Sequence, residues 1–160
     1  MIPNSLKELE LIRDECKSMV TTRAGLSAGA AIVPVPGADI GADVMLLLEM
    51  IPMINRKFGL APEQIDQLDP QIKKLILVAA TSIGSEMIGK LLTKEIILQV
   101  LKRVGIRVAS KQVAKYIPIL GQAVAATISF GAMKMVGNSH VDDCFEVAKR
   151  ALEAQQKSAA

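Results

Sequence analysis

Residues 115–134, KYIPILGQAVAATISFGAMK, hold eighteen uncharged residues between two lysines. Whether this stretch crosses a bilayer or threads a protein core decides the fold. Pro118 and Gly121 interrupt it near its start, because proline cannot donate a helical hydrogen bond and glycine weakens a helix. The clean helix that remains, about fifteen residues at 1.5 Å each, covers about 22 Å against a hydrocarbon core of about 30 Å. Gln122, Thr127 and Ser129 lower its hydrophobicity further. The stretch reads as a buried core helix, with reversible membrane insertion of a hairpin as the alternative; Gly121, Ala125 and Ala126 permit close helix packing in either medium.

A second stretch has the same form. AAIVPVPGADIGADVMLL, residues 30–47, aligns with AKYIPILGQAVAATISFG, residues 114–131, so that Pro34 lies over Pro118 and Gly37 over Gly121. Each is an apolar helix, a sharp corner and another apolar helix. The corners are Pro34, Pro36 and Gly37, with Asp39 opening the next helix, and Pro118 with Gly121. A carboxylate at Asp39 suits the free N–H groups of a helix start. Asp39, Asp43 and Glu49 would each be costly in lipid, so this hairpin too belongs in a protein core.

Amphipathic helices surround these two hairpins. Ser5 and Glu8 fit a capping box, and Leu6, Leu9, Ile12, Cys16, Met19 and Val20 recur at helical spacing. Helix 1 is expected over about 6–21, a helix over about 38–56 with Pro52 kinking or ending it, and a C-cap at Phe58-Gly59. Pro62 and the pair Asp69-Pro70 open two further helices. Thr93 caps one over about 94–104. Gly105 then breaks the chain before another helix to about 116. Gly137 is expected as a C-cap and Ser139 as the N-cap of the last helix, with Asp142 and Asp143 in its first turn. No segment alternates as a strand does. The expected fold is all-α: one compact bundle of seven to eight helices built around the two hairpins, spanning 1–155, with residues 156–160 frayed.

Composition bounds the function. Apolar residues make up 51% of the 160, aromatics only 2%, and tryptophan is absent. The core must come from aliphatic side chains and methionine, and there are too few stacking platforms for a single-stranded nucleic-acid surface. Cys16 and Cys144 do not make a disulfide framework, and the N-terminus has no early apolar run. A cytoplasmic location, peripheral to a membrane at most, is expected.

Charge is concentrated. Between 90 and 115 the chain carries Lys90, Lys94, Lys102, Arg103, Arg107, Lys111 and Lys115 against Glu95 alone, in a chain of net charge +3. Arg107, Lys111 and Lys115 are spaced by four, and Arg103 joins them if Gly105 does not break the register. Such a stripe is either a solvated face balanced by acids elsewhere or a surface that fits an anionic membrane or an acidic protein partner. No nucleic-acid reader motif accompanies it. His140 and Cys144 share a helix face at i, i+4, the spacing of a Cys–His nucleophile or half a metal site. Cys144 also falls on an apolar stripe, where cysteine acts as a small hydrophobe, so no catalytic or metal role is assigned. Asp39 and Asp43 are too few oxygens for a calcium site. IGSEMIGKLLTK has a Gly-Lys at the wrong spacing for a phosphate loop. No cofactor is expected.

The corner VPVPGAD and the stretch KYIPILGQAVAATISFGAMKMVG resemble a family of helical domains of unknown function. These are appended to bacterial GTPase-like proteins and found in membrane-associated proteins of the EcsC and YcjF type. The resemblance covers most of residues 20–150. It rests on a Pro-x-Pro-Gly-Ala-Asp corner, a Phe-Gly ending the following helix, and a Pro-x-x-Gly corner before a small-residue helix. It implies an α-helical module near membranes or beside a GTPase, and supplies no catalytic residues. The chain differs in having no GTPase motif of its own.

These readings converge on a non-enzymatic module that docks on an acidic surface through Arg103, Arg107, Lys111 and Lys115, with self-association compatible. Two alternatives are a carrier of an apolar small molecule among Met45, Met50, Met53, Met87, Met133 and Met135, and an enzyme using His140 and Cys144.

Overall fold

The structure, a computed structural model, describes residues 2–30, 38–112 and 121–159, and the side-chain surroundings of 2–26, 43–104 and 130–158. Pro34, Pro36, Gly37, Lys115 and Pro118 lie outside the described residues. Among the described residues the chain is all-α, with the helical segments α1 (Leu6–Ala30), α2 (Ala38–Lys57), α3 (Pro62–Ile65), α4 (Pro70–Ser82), α5 (Lys94–Gln112) and α6 (Gly121–Ala159). Asp39 is the second residue of α2 and Gly121 the first of α6.

The starts of the helices follow local chemistry. Ser5 Oγ accepts the Glu8 N–H at 3.2 Å, while the Glu8 carboxylate reaches back to the Asn4 N–H at 2.9 Å, one residue before the expected one. Asp69 caps α4 by accepting the Gln71 N–H at 2.8 Å, with Pro70 at the first position. Gln64 Oε1 closes the start of α3 on the Ala61 N–H at 3.1 Å. Gly59, at φ 72, ends α2 in the left-handed region that glycine enters without strain.

The helices are longer than the sequence suggests. α1 continues past residue 21 to Ala30, α5 crosses Gly105, and α6 crosses both Gly137 and Ser139 and takes in residues 156–159. α2 continues through Pro52 to Lys57. α4, by contrast, stops at Ser82.

The chain packs as two compact units. One comprises Met1–Lys17, Ile51–Leu92 and Ser139–Ala160; the other comprises Ser18–Met50 and Thr93–Asn138. The first is built on Leu9, Ile54, Phe58, Leu60, Ile76, Val141 and Val147, all but fully buried. Its α1 and α6 segments are tied by Asp142, which meets Arg13 at 2.6 Å and Lys17 at 2.9 Å. Arg13 also stacks 4.9 Å from the centre of the Phe145 ring. Asp142 therefore works as an interhelix anchor mid-helix, not as a first-turn acid. Burial opposes its ionisation, but the hydrogen bonds from Lys17 and Arg13 outweigh that and hold its pKa down.

The second unit buries Val20, Ala24, Leu47, Met50, Ile97, Met133 and Val136. Gly137 is its tightest point. A β-carbon there would stand 2.6 and 2.8 Å from the two methyl groups of Val20 and 3.1 Å from the Met50 methyl. This glycine is a contact between helices, not the C-cap that its sequence position suggests. Across this unit's surface, Arg23 meets Glu49 at 3.1 Å.

Candidate functional site

α5 is one helix across Gly105, so the condition for a continuous stripe is met by the backbone. Arg103, Arg107 and Lys111 follow each other by four residues within it. Residues four apart lie on one helix face, and the rise of 1.5 Å per residue spreads the three over about 12 Å. Arg103 and its neighbour Lys102 are exposed. The helix begins at Lys94, where Thr93 Oγ1 lies 3.4 Å from the Ile96 N–H. Along its first turn Glu95 is the acid, held below the usual carboxylate range by its own backbone N–H and by Thr93.

The pair His140 and Cys144 has a different surrounding from a helix first turn. Both are fully buried within α6. They converge on Asn55, a residue that sequence reading passed over. Asn55 is itself buried, on the side of α2 that carries Ile51 and Ile54, with Phe58 just beyond the helix end. A polar side chain on that apolar stripe is the signal that could have found it.

The hydrogen bonds fix the protonation pattern. Asn55 Nδ2 donates to the Met87 carbonyl at 2.8 Å. The amide oxygen must then face the other way, 2.9 Å from His140 Nε2 and 3.4 Å from Cys144 Sγ. Two acceptors do not bond, so Nε2 carries the ring proton and donates to Asn55. The Cys144 thiol, also 3.4 Å from Nε2, donates to the same oxygen. Among the described residues Nδ1, a buried lone pair, has no hydrogen-bond partner.

Burial sets the charge state. It pushes His140 down from 6.5 to about 3 and Cys144 well above the usual thiol range. Cys16, buried on α1, rises to about 11 by burial, with Lys57 pulling the other way. A nucleophilic cysteine needs the opposite: a thiolate beside a cationic or basic partner, with access to substrate. A base that relays a proton also uses both ring nitrogens, one toward the nucleophile and one toward its orienting group. Here Asn55 and Cys144 address the same nitrogen. The cluster's chemistry is that of a buried, uncharged hydrogen-bond network linking α2, the Met87 turn and α6. Among the described residues no group of three His, Cys, Asp or Glu side chains could hold a metal ion.

The six methionines proposed to hold an apolar ligand divide between the units and between core and surface. Met50, Met87 and Met133 are buried, whereas Met45 and Met135 are exposed. Among the described residues no helix is long and apolar enough to cross a membrane.

No family model matches the chain, and no solved structure matches it significantly. Among curated proteins it is similar to interferon-inducible GTPase 5 of Bos taurus, with 27% identity over 158 residues. The match covers 95% of this chain and 34% of that protein, so the chain spans about a third of its relative's length.

Proposed function

We propose that this chain is a non-enzymatic helical module that docks on an acidic surface through the basic face of α5, formed by Arg103, Arg107 and Lys111. The observation that supports this reading is the continuity of α5 through Gly105, which keeps three cations in a single helical register. The similarity to a GTPase supports a module that works with a GTPase-like protein. The neutral, enclosed state of His140 and Cys144 supports the non-enzymatic part.

The test compares the protein with its Arg103→Gln, Arg107→Gln, Lys111→Gln variant on two probes: anionic vesicles and immobilised polyglutamate. Each cation at an anionic surface contributes a factor of about 5, so the triple variant should bind on the order of 100-fold more weakly. Raised salt should weaken the parent protein more than the variant. Equal binding of parent and variant to both probes would refute the α5 assignment.

A further inference from the structure

The exposed side of α5 has a counterpart of opposite sign on α1. Lys94, Leu98 and Lys102 follow each other by four along α5, so they form one ridge. All three are exposed, Leu98 by 44%, while Ile97 is fully buried on the inner side. Lys94 and Lys102 make no ion pair among the described residues. Arg103 adds an exposed cation beside them, and Glu95 is the helix's acid. On the first half of α1 the balance is reversed. Glu8, Glu10, Asp14 and Glu15 are all exposed, with Lys7 among them. Glu15 is paired with Lys57 at 2.8 Å, and Glu8 accepts the Asn4 N–H. The carboxylates of Glu10 and Asp14 have no partner among the described residues. They too are four apart and share a face. Leu11 stands between them, 58% exposed, while Leu9 and Cys16 take the buried side.

We infer that the acidic surface met by α5 is the first half of α1 on a second copy of this chain, with Glu10 and Asp14 against the α5 cations and Leu11 against Leu98. The inference rests on the acidic-surface reading above and names the occupant. Charge complementarity carries it. A lysine–leucine–lysine ridge is complemented by a face that offers a carboxylate for each ammonium and an apolar side chain for the leucine. The exposed face of α1 offers both, and its four acids outnumber Lys7 and Lys57. Every copy carries one face of each sign, so the partner is present at the protein's own concentration. The net charge of +3 opposes the contact only weakly, because charges more than about 8 Å apart are largely screened at physiological salt. Exposed ion pairs contribute little apiece but set orientation and exclude wrong partners. The contact should therefore be transient, with a dissociation constant between micromolar and millimolar.

Two charge-reversed variants test this by sedimentation equilibrium over a range of concentrations. Glu10→Lys with Asp14→Lys makes both ridges basic, and Lys94→Glu with Lys102→Glu makes both acidic. All four positions are exposed, and helical circular dichroism checks that each variant folds. The parent should self-associate, and more weakly as salt is raised. Each variant alone should associate at least about tenfold more weakly, since like charges then face each other. An equimolar mixture of the two should regain association, because the unaltered α5 of one meets the unaltered α1 of the other. A parent that stays monomeric, or a mixture that associates no better than its components, overturns the inference. If the α5 triple variant still loses polyglutamate binding in that case, the acidic-surface reading stands without it. Association that survives both reversals belongs to another surface and also overturns the inference.

Discussion

Replacing Gly137 by alanine tests whether the second unit is held by close helix contact. The added carbon would lie 2.6 and 2.8 Å from Val20 Cγ1 and Cγ2, against an ordinary carbon–carbon separation of about 3.5–4.0 Å. Something must move by about 1 Å. Val20 is a poor candidate, being fully buried and limited by its β-branch to one preferred rotamer in a helix. The Met50 methyl, 3.1 Å away, sits at the end of a flexible chain and yields more easily. Overpacking of this kind costs about 1–3 kcal/mol, while alanine returns about 0.5–1 kcal/mol of helix propensity. The net loss should be about 1–2 kcal/mol, or a fall in Tm of about 3–6 °C for a chain of this size. Gly25 is the internal comparison: it lies inside α1 with nothing within 4 Å of its β-carbon position. Gly25→Ala should stabilise by about 0.5–1 kcal/mol. Adding Val20→Ala to Gly137→Ala should cost less than the two single changes summed, with a coupling of about 1 kcal/mol. Urea unfolding followed by helical circular dichroism gives all four values. If Gly137→Ala stabilises as Gly25→Ala does, the close-contact reasoning is wrong.

Other outcomes follow from the buried cluster and its surroundings. Asn55→Ala should destabilise by about 2–4 kcal/mol in the same assay, because it orphans both the Met87 carbonyl and the His140 N–H. The folded pKa of His140, about 3, lies below its ordinary 6.5. The folded state therefore binds fewer protons in between, and this stabilisation is complete above about pH 6.5 and lost as pH falls toward 3, at up to about 1.4 kcal/mol per pH unit. Asp143 acts in the opposite sense: burial, then the neighbouring Asp142 charge, raise it from 3.8 to about 6, so its penalty is complete above pH 6 and relieved as pH falls through 3.8. His140→Gln should flatten the acid limb of stability against pH, and Asp143→Asn should steepen it between about 4 and 6. Cys16 and Cys144 should resist an aromatic disulfide reagent in the native protein and both react in urea.

Helix identity was more legible than helix length. Apolar periodicity and the Ser5, Asp69, Pro62 and Pro70 start signals located α1, α3 and α4, because those signals act through the backbone groups they touch. The break expected at Gly105 rested on glycine, and the one near Gly137 on glycine with Ser139 as a cap and Asp142 and Asp143 in a first turn; a glycine weakens a helix by only about 1 kcal/mol. Packing overrides so small a preference. At Gly137 the glycine is there because Val20 and Met50 leave no room for a side chain, a reason that depends on residues more than eighty positions away in the chain. Gly84 and Gly89 do turn the chain, at positive φ. Sequence context alone did not separate the two uses of the same residue.

The candidate sites divide along the same line. The basic register of α5 was visible as spacing, and needed only the helix to continue. The Asn55–His140–Cys144 cluster joins positions 55, 87, 140 and 144, and only two of these share a local pattern. The i, i+4 pair raised a chemical question whose answer lay in the third member. With asparagine and cysteine both turned toward Nε2, and that nitrogen's proton committed to a carboxamide oxygen, the imidazole has no free base beside the thiol. Moving a proton from Cys144 to His140 would place two opposite charges in a fully buried pocket, against both of their shifts. The same residue types that elsewhere make a nucleophile here hold helices together, because the ring nitrogen that would be the base is already a donor.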